Sequence, residues 1–268
     1  MKNKQLIIGI ILAVMCLVCI AVALYGPIKN KIDKENITTT AEYNGETELY
    51  TGEGESSAAF VPQPSTDRAQ YAAEEAKQLS DYRAVTTDVY AMLRIPGTKI
   101  DYPVAQNAEE DNFYLRHDIN GKFSANGTLF TEHAYNSKSF DDRVTVIYGH
   151  NMASGEMFGN LQEIYSDEDT FNTYKDIYIN TNGKDLHYRV FAAVPYDNTH
   201  ILYHYGRFQN PDSVGEFLDS VYSTRDFSVN ISEDDKPESG EKILILSTCL
   251  KGNYSKRFLV LAKFVEKT

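Results

Sequence analysis

From residue 85 onward the sequence predicts a mainly β domain, either a barrel or a sandwich. Short runs rich in β-branched and aromatic residues alternate with clusters of Gly, Asn and Asp, the pattern of strands joined by turns. Only one later segment, Asp212 to Tyr222, has helical spacing, with Val214, Phe217, Leu218 and Val221 on one face. The 268 residues allow an N-terminal apolar segment, a linker and one sizeable domain or two small ones.

Taken in order, residues 1–5 form a short N-terminus carrying Lys2 and Lys4. Leu6 to Tyr25 has no charged residue, and at about 1.5 Å per residue it is long enough to cross a hydrocarbon core of about 30 Å. The run exceeds the roughly 7 to 15 residues of a signal-peptide core, so residues 6–25 are expected to be an uncleaved transmembrane signal anchor. Charge does not orient it, because Lys29, Lys31 and Lys34 balance Lys2 and Lys4. Residues 26–66, rich in Thr, Glu, Gly, Ser and Pro towards their end, are expected to be a flexible stalk.

Asp67 is expected to cap a helix over residues 67–84, in which Ala72, Ala73, Ala76 and Leu79 fall at helical spacing. The expected strands are Val89 to Ile95, Ile100 to Val104, Thr128 to Phe130, Val144 to Tyr148, Leu186 to Val194, Lys242 to Ser247 and Phe258 to Phe264. The formal charge of −12 leaves no electrostatic footprint for nucleic acid and suits an exported, soluble domain. No Cys and His cluster has zinc spacing and no glycine-rich phosphate loop is present, so no cofactor or metal is expected.

Cysteine usage points to chemistry. Cys16 and Cys19 lie within the apolar N-terminal segment, which leaves Cys249 without a disulfide partner in the β domain. It ends the run Leu246-Ser247-Thr248-Cys249, and a lone thiol in an exported domain is a first candidate for a nucleophile. Lys251-Gly252-Asn253-Tyr254 reads as a turn, so the flanking strands should form a hairpin. Centred on Asn253, the register sets Arg257 opposite Cys249 on one face. A guanidinium there would favour the thiolate and could donate to an oxyanion, although a plain strand arginine fits the same spacing.

The reaction also needs a proton carrier, and His117, His133, His150, His187, His200 and His204 are all candidates. Context ranks His150 first, since it follows a buried-looking strand and Gly149 at the edge of a loop.

Taken together, Leu93-Arg94-Ile95-Pro96-Gly97 with Asp101-Tyr102-Pro103-Val104, Tyr148-Gly149-His150-Asn151-Met152, Met157-Phe158-Gly159, Leu246-Ser247-Thr248-Cys249 and Arg257-Phe258 resemble the class B sortases of Gram-positive bacteria. Leu93 and Ile245 depart from that family's usual Trp and Thr. The resemblance implies an eight-stranded sortase-type barrel over residues 85–268, with an N-terminal helix and a helical insertion before the cysteine strand. It implies Cys249 as nucleophile, His150 as general acid and base, and Arg257 as oxyanion stabiliser. It also implies a cytoplasmic N-terminus, an extracellular domain, surface proteins with a C-terminal sorting signal as substrates, and a peptidoglycan precursor amine as acceptor. By the same resemblance the sorting motif is cleaved after threonine through a thioacyl enzyme.

Rival readings are a membrane-anchored cysteine peptidase that passes the acyl group to water, and a non-catalytic surface protein. A pilin-polymerising sortase is disfavoured, because such enzymes often carry a further hydrophobic segment after the domain.

Overall fold

The computed structural model describes residues 66–267. The expected tail, anchor and all but the last residue of the stalk lie outside them. None of the described helices is long and apolar enough to cross a membrane.

The chain begins with helix α1 (Thr66–Val85), followed by strands β1 (Val89–Arg94), β2 (Asp101–Ala105), β3 (Leu129–Phe130) and β4 (Val144–Tyr148). Short helices α2 (Leu161–Ser166) and α3 (Glu168–Thr173) lead into the hairpin of β5 (Asp176–Thr181) and β6 (Lys184–Tyr196). A helical connection holding α4 (Ile201–His204) and α5 (Pro211–Tyr222) precedes β7 (Asn230–Ile231), β8 (Ile243–Leu250) and β9 (Asn253–Lys267). The strands run in the order β5-β1-β2-β3-β4-β8-β9-β6, and β6 pairs back onto β5. That is a closed eight-stranded barrel, with β7 a short addition to β6.

Why the cysteine strand reads as a continuous apolar run is plain from its two neighbours. Leu244 and Leu246 point into the barrel with Ile147, Phe258 and Val260, whereas Ile243 and Ile245 face outward onto Phe208, Phe217 and Val221 of the helical connection. A strand covered on both faces has no polar side to show, and it pairs in parallel with β4. Leu93 and Ile245, the departures from the family pattern, are both fully buried, so they are packing choices.

The sequence reading missed β5 and shortened β6 and β9. The overlooked signal is Asn182-Gly183, whose φ values of 48° and 72° are those of a type I′ turn joining Thr181 to Lys184. Asp176 and Asn180 hid the alternation of a strand that buries Ile177 and Ile179.

Helix α1 also differs from expectation. Asp67 lies inside the helix rather than ahead of it, and Ala73 and Ala76 are exposed. Alanines bury too little area to define a face. Among the helix's described side chains the buried ones are Glu75 and Leu79, and the helix is fastened by charge. Arg68 donates to Glu75 at 2.9 Å and to Asp185 of β6, while Arg94 lies 3.7 Å over the ring of Tyr71.

Candidate active site

The β8–β9 hairpin has the register read from its turn: every pair from Ile243↔Lys263 to Cys249↔Arg257 is centred on Asn253. Only next to the turn does a bulge shift it, to Leu250↔Asn253. Cys249 and Arg257 therefore share the barrel's outer face, and Arg257 Nη1 donates to Cys249 Sγ at 3.2 Å. Both side chains are half-buried, so the thiol is reachable from solvent.

His150 arrives from the other side. The parallel pairing of β4 with β8 ends at Tyr148↔Ser247, and Gly149 N–H then donates to the Ser247 carbonyl at 3.1 Å. Two residues beyond that pairing, His150 has the sequence parity of Val144, Val146 and Tyr148, whose side chains lie on the outer face. Gly149 is dictated by packing: a Cβ there would lie 2.4 Å from Leu129 Cδ2 and 2.6 Å from Phe158 Cδ2. The imidazole Nε2 donates to the Leu115 carbonyl at 2.7 Å, which assigns the proton to Nε2. Nδ1 has no hydrogen-bond partner among the described residues and is the nitrogen open for proton transfer.

Two asparagines complete the cluster: Asn151, which the sequence reading quoted within its motif without a role, and Asn198, which it passed over. Asn151 Nδ2 donates to the Cys249 carbonyl at 2.8 Å and ties the loop after His150 to the cysteine strand. Asn198 Oδ1 accepts from Arg257 Nε at 2.7 Å. Its position follows from the pair Tyr196↔Arg257, a β6–β9 contact that no local pattern reveals.

The remaining histidines are occupied elsewhere or stand apart. His117 stacks on Phe113, His187 bonds Asp176 at 2.8 Å, His200 bonds Glu132 at 3.0 Å, His204 meets Tyr205 edge-on, and His133 is exposed. Burial pushes the Glu132 carboxyl above the usual range, against the pull of His200. Tyr148, two residues before His150, is held firmly neutral by burial and by the charge of Glu132.

A half-buried thiol with a bonded guanidinium, and a histidine next in sequence to the asparagine that bonds its carbonyl, is a set that can form and resolve an acyl thioester. The sequence model of the sortase domain matches residues 93–265. Sortase B of Listeria monocytogenes is 28% identical over 193 residues, 71% of this chain and 75% of that protein. The structure of Clostridium perfringens sortase B is similar with a TM-score of 0.61 at 26% identity, covering 70% of this chain and 99% of that one. A Streptococcus pyogenes class B sortase involved in pilus biogenesis gives a TM-score of 0.60 at 27% identity, covering 71% and 100%.

Proposed function

The chain belongs to the sortase family, with class B relatives, and from that premise we propose how this cysteine transpeptidase works and on what. Cys249 is the nucleophile, Arg257 the oxyanion donor and His150 the proton carrier. The observation that carries the reading is the 3.2 Å bond from Arg257 Nη1 to Cys249 Sγ, with Asn151, the residue after His150, bonded to the Cys249 carbonyl.

In the first half-reaction Cys249 Sγ attacks the carbonyl carbon of a threonine in a C-terminal sorting signal. Charge gathers on the carbonyl oxygen, where the Arg257 guanidinium stabilises it. As the C–N bond breaks, His150 gives the leaving amine, from Nδ1, the proton that it took from the Cys249 thiol, and a thioacyl enzyme remains. In the second half-reaction an amine of a peptidoglycan precursor attacks the thioester. His150 takes the proton from that amine and Cys249 leaves as the thiolate. The substrates are then surface proteins bearing the signal, and the domain works outside the cell, anchored through residues 6–25.

One observation favours a second acceptor. The similar Streptococcus pyogenes enzyme is involved in pilus biogenesis, so a lysine amine of a pilin subunit is the alternative to a peptidoglycan amine.

Mass spectrometry of the protein with a library of threonine-containing sorting peptides tests the chemistry. An acyl adduct on Cys249, absent from Cys249→Ala, supports the reading; no adduct with any peptide sinks it. Adding peptidoglycan-type or pilin-type amines separates the acceptors, and release only as free acid identifies a peptidase instead.

A further inference from the structure

Arg257 is held at both ends of its guanidinium, and the second hold has no part in the chemistry described above. While Nη1 donates to Cys249 Sγ, Nε donates to Asn198 Oδ1 at 2.7 Å. A half-exposed arginine keeps several rotamers open unless something fixes the planar fork. Asn198 lies just beyond the end of β6, in a loop that is itself pinned. Asp197 Oδ1 accepts from Thr199 N–H at 2.7 Å, and His200 accepts from Tyr203 N–H through Nδ1 at 3.1 Å while donating from Nε2 to buried Glu132 at 3.0 Å. The imidazole of His200 thus bolts the loop to the segment after β3, and Asn198 reaches Arg257 from a fixed base.

We propose that Asn198 is a positioning residue for the transpeptidase reaction, acting through the Oδ1 acceptor that aims the Arg257 guanidinium at Cys249. The inference rests on the functional reading above, because an arginine without a role needs no aim. What matters is the acceptor atom rather than the amide, since only Oδ1 meets Nε–H.

The test is single-turnover acylation of the full-length protein by whichever peptide gives the Cys249 adduct, with Asn198→Ala, Asn198→Asp and Arg257→Ala compared. Asn198→Ala is expected to lower the limiting acylation rate about tenfold with the half-saturating peptide concentration unchanged. Asn198→Asp, which keeps the acceptor, is expected to stay within about threefold of the parent. A parallel measurement needs no substrate: alkylation of Cys249 by iodoacetamide should slow in Asn198→Ala towards the Arg257→Ala rate. Unchanged acylation and alkylation in Asn198→Ala overturn the proposal, as does equal loss in Ala and Asp. A rise in half-saturating concentration with an unchanged limiting rate makes Asn198 a peptide contact and also overturns it. If no peptide acylates the parent protein, the functional reading fails, and the alkylation rates still decide whether Asn198 aims Arg257.

Discussion

At the scale of single residues, Arg257 separates geometry from charge. Its guanidinium offers two directed donors at once, one to Cys249 Sγ and one to Asn198, which the single ammonium of lysine cannot reproduce. Arg257→Lys is therefore expected to lower the acylation rate by about 10² even though the charge is kept, as measured by single-turnover adduct formation. A rate within threefold of the parent would show that charge alone suffices. The pairing of Arg257 with Cys249 was legible because the two residues flank one turn, so local chemistry fixed the register. Asn198 was not, because it meets Arg257 through the pairing of β6 with β9, strands separated by the whole helical connection. A residue brought in by a long-range pairing leaves no mark on its immediate neighbours.

Among the elements, the end of β4 and the ion pairs that join the segment after β7 to Lys175 and to β6 make separable predictions. Gly149 has no room for a methyl group against Leu129 and Phe158, so Gly149→Ala must push the chain outward just before His150. The expected cost is about 1–3 kcal/mol in urea unfolding, with a loss of acylation beyond what the unfolded fraction explains. Equal losses in folding and activity would mean that His150 keeps its place. Elsewhere, Asp235 bonds Lys175 Nζ at 2.6 Å and lies 3.5 Å from Arg189. Burial works to raise the Asp235 carboxyl, but the bonds from Lys175 and Ser232 and the charges of Lys175 and Arg189 outweigh it and hold the group below its ordinary 3.8. A depressed folded value binds protons less tightly than the unfolded chain does. This contribution to stability is therefore complete above pH 3.8 and fades as pH falls through the folded value. Thermal unfolding of Asp235→Asn against the parent should show a gap at neutral pH that narrows in acid; a gap constant down to pH about 2 would contradict it. The strand that follows Lys175, β5, shows why element boundaries were harder to read than the site. The turn Asn182-Gly183 was visible in the sequence, but β5 has polar residues at its ends and buries its apolar ones in a barrel wall that only closure creates.

For the whole molecule, closure of the barrel separates what holds the fold from what carries the proposed reaction. The sequence could count short strands but could not choose between barrel and sandwich, because the β5–β6 pairing that closes the ring is a property of the assembled sheet. The resemblance of the scattered motifs made that choice, and the closed ring agrees with it. Helix α1 packs on β1 and β5, where Leu79 is 3% exposed among Val89, Met92, Ala105, Tyr114 and Phe130. The hairpin of Cys249 and Arg257 belongs instead to β8 and β9, whose outer face meets the helical connection. The Leu79 cluster reaches towards the site through the stacked pair Phe130 and Tyr148, with ring centroids 5.4 Å apart, and through Tyr114, which directly precedes the residue whose carbonyl holds His150. Truncating Leu79 should thus remove packing without moving the thiol or its guanidinium. Leu79→Ala is expected to destabilise the protein by about 2–5 kcal/mol in urea unfolding. Acylation per folded molecule should stay within about threefold of the parent, since the hydrogen bonds to Cys249 and His150 come from β9, the loop after β4 and the segment before β3. A larger loss in fully folded protein would show that the Phe130–Tyr148 stack or Tyr114 transmits the helix's packing to His150, and that α1 is part of the working site rather than a brace for the barrel.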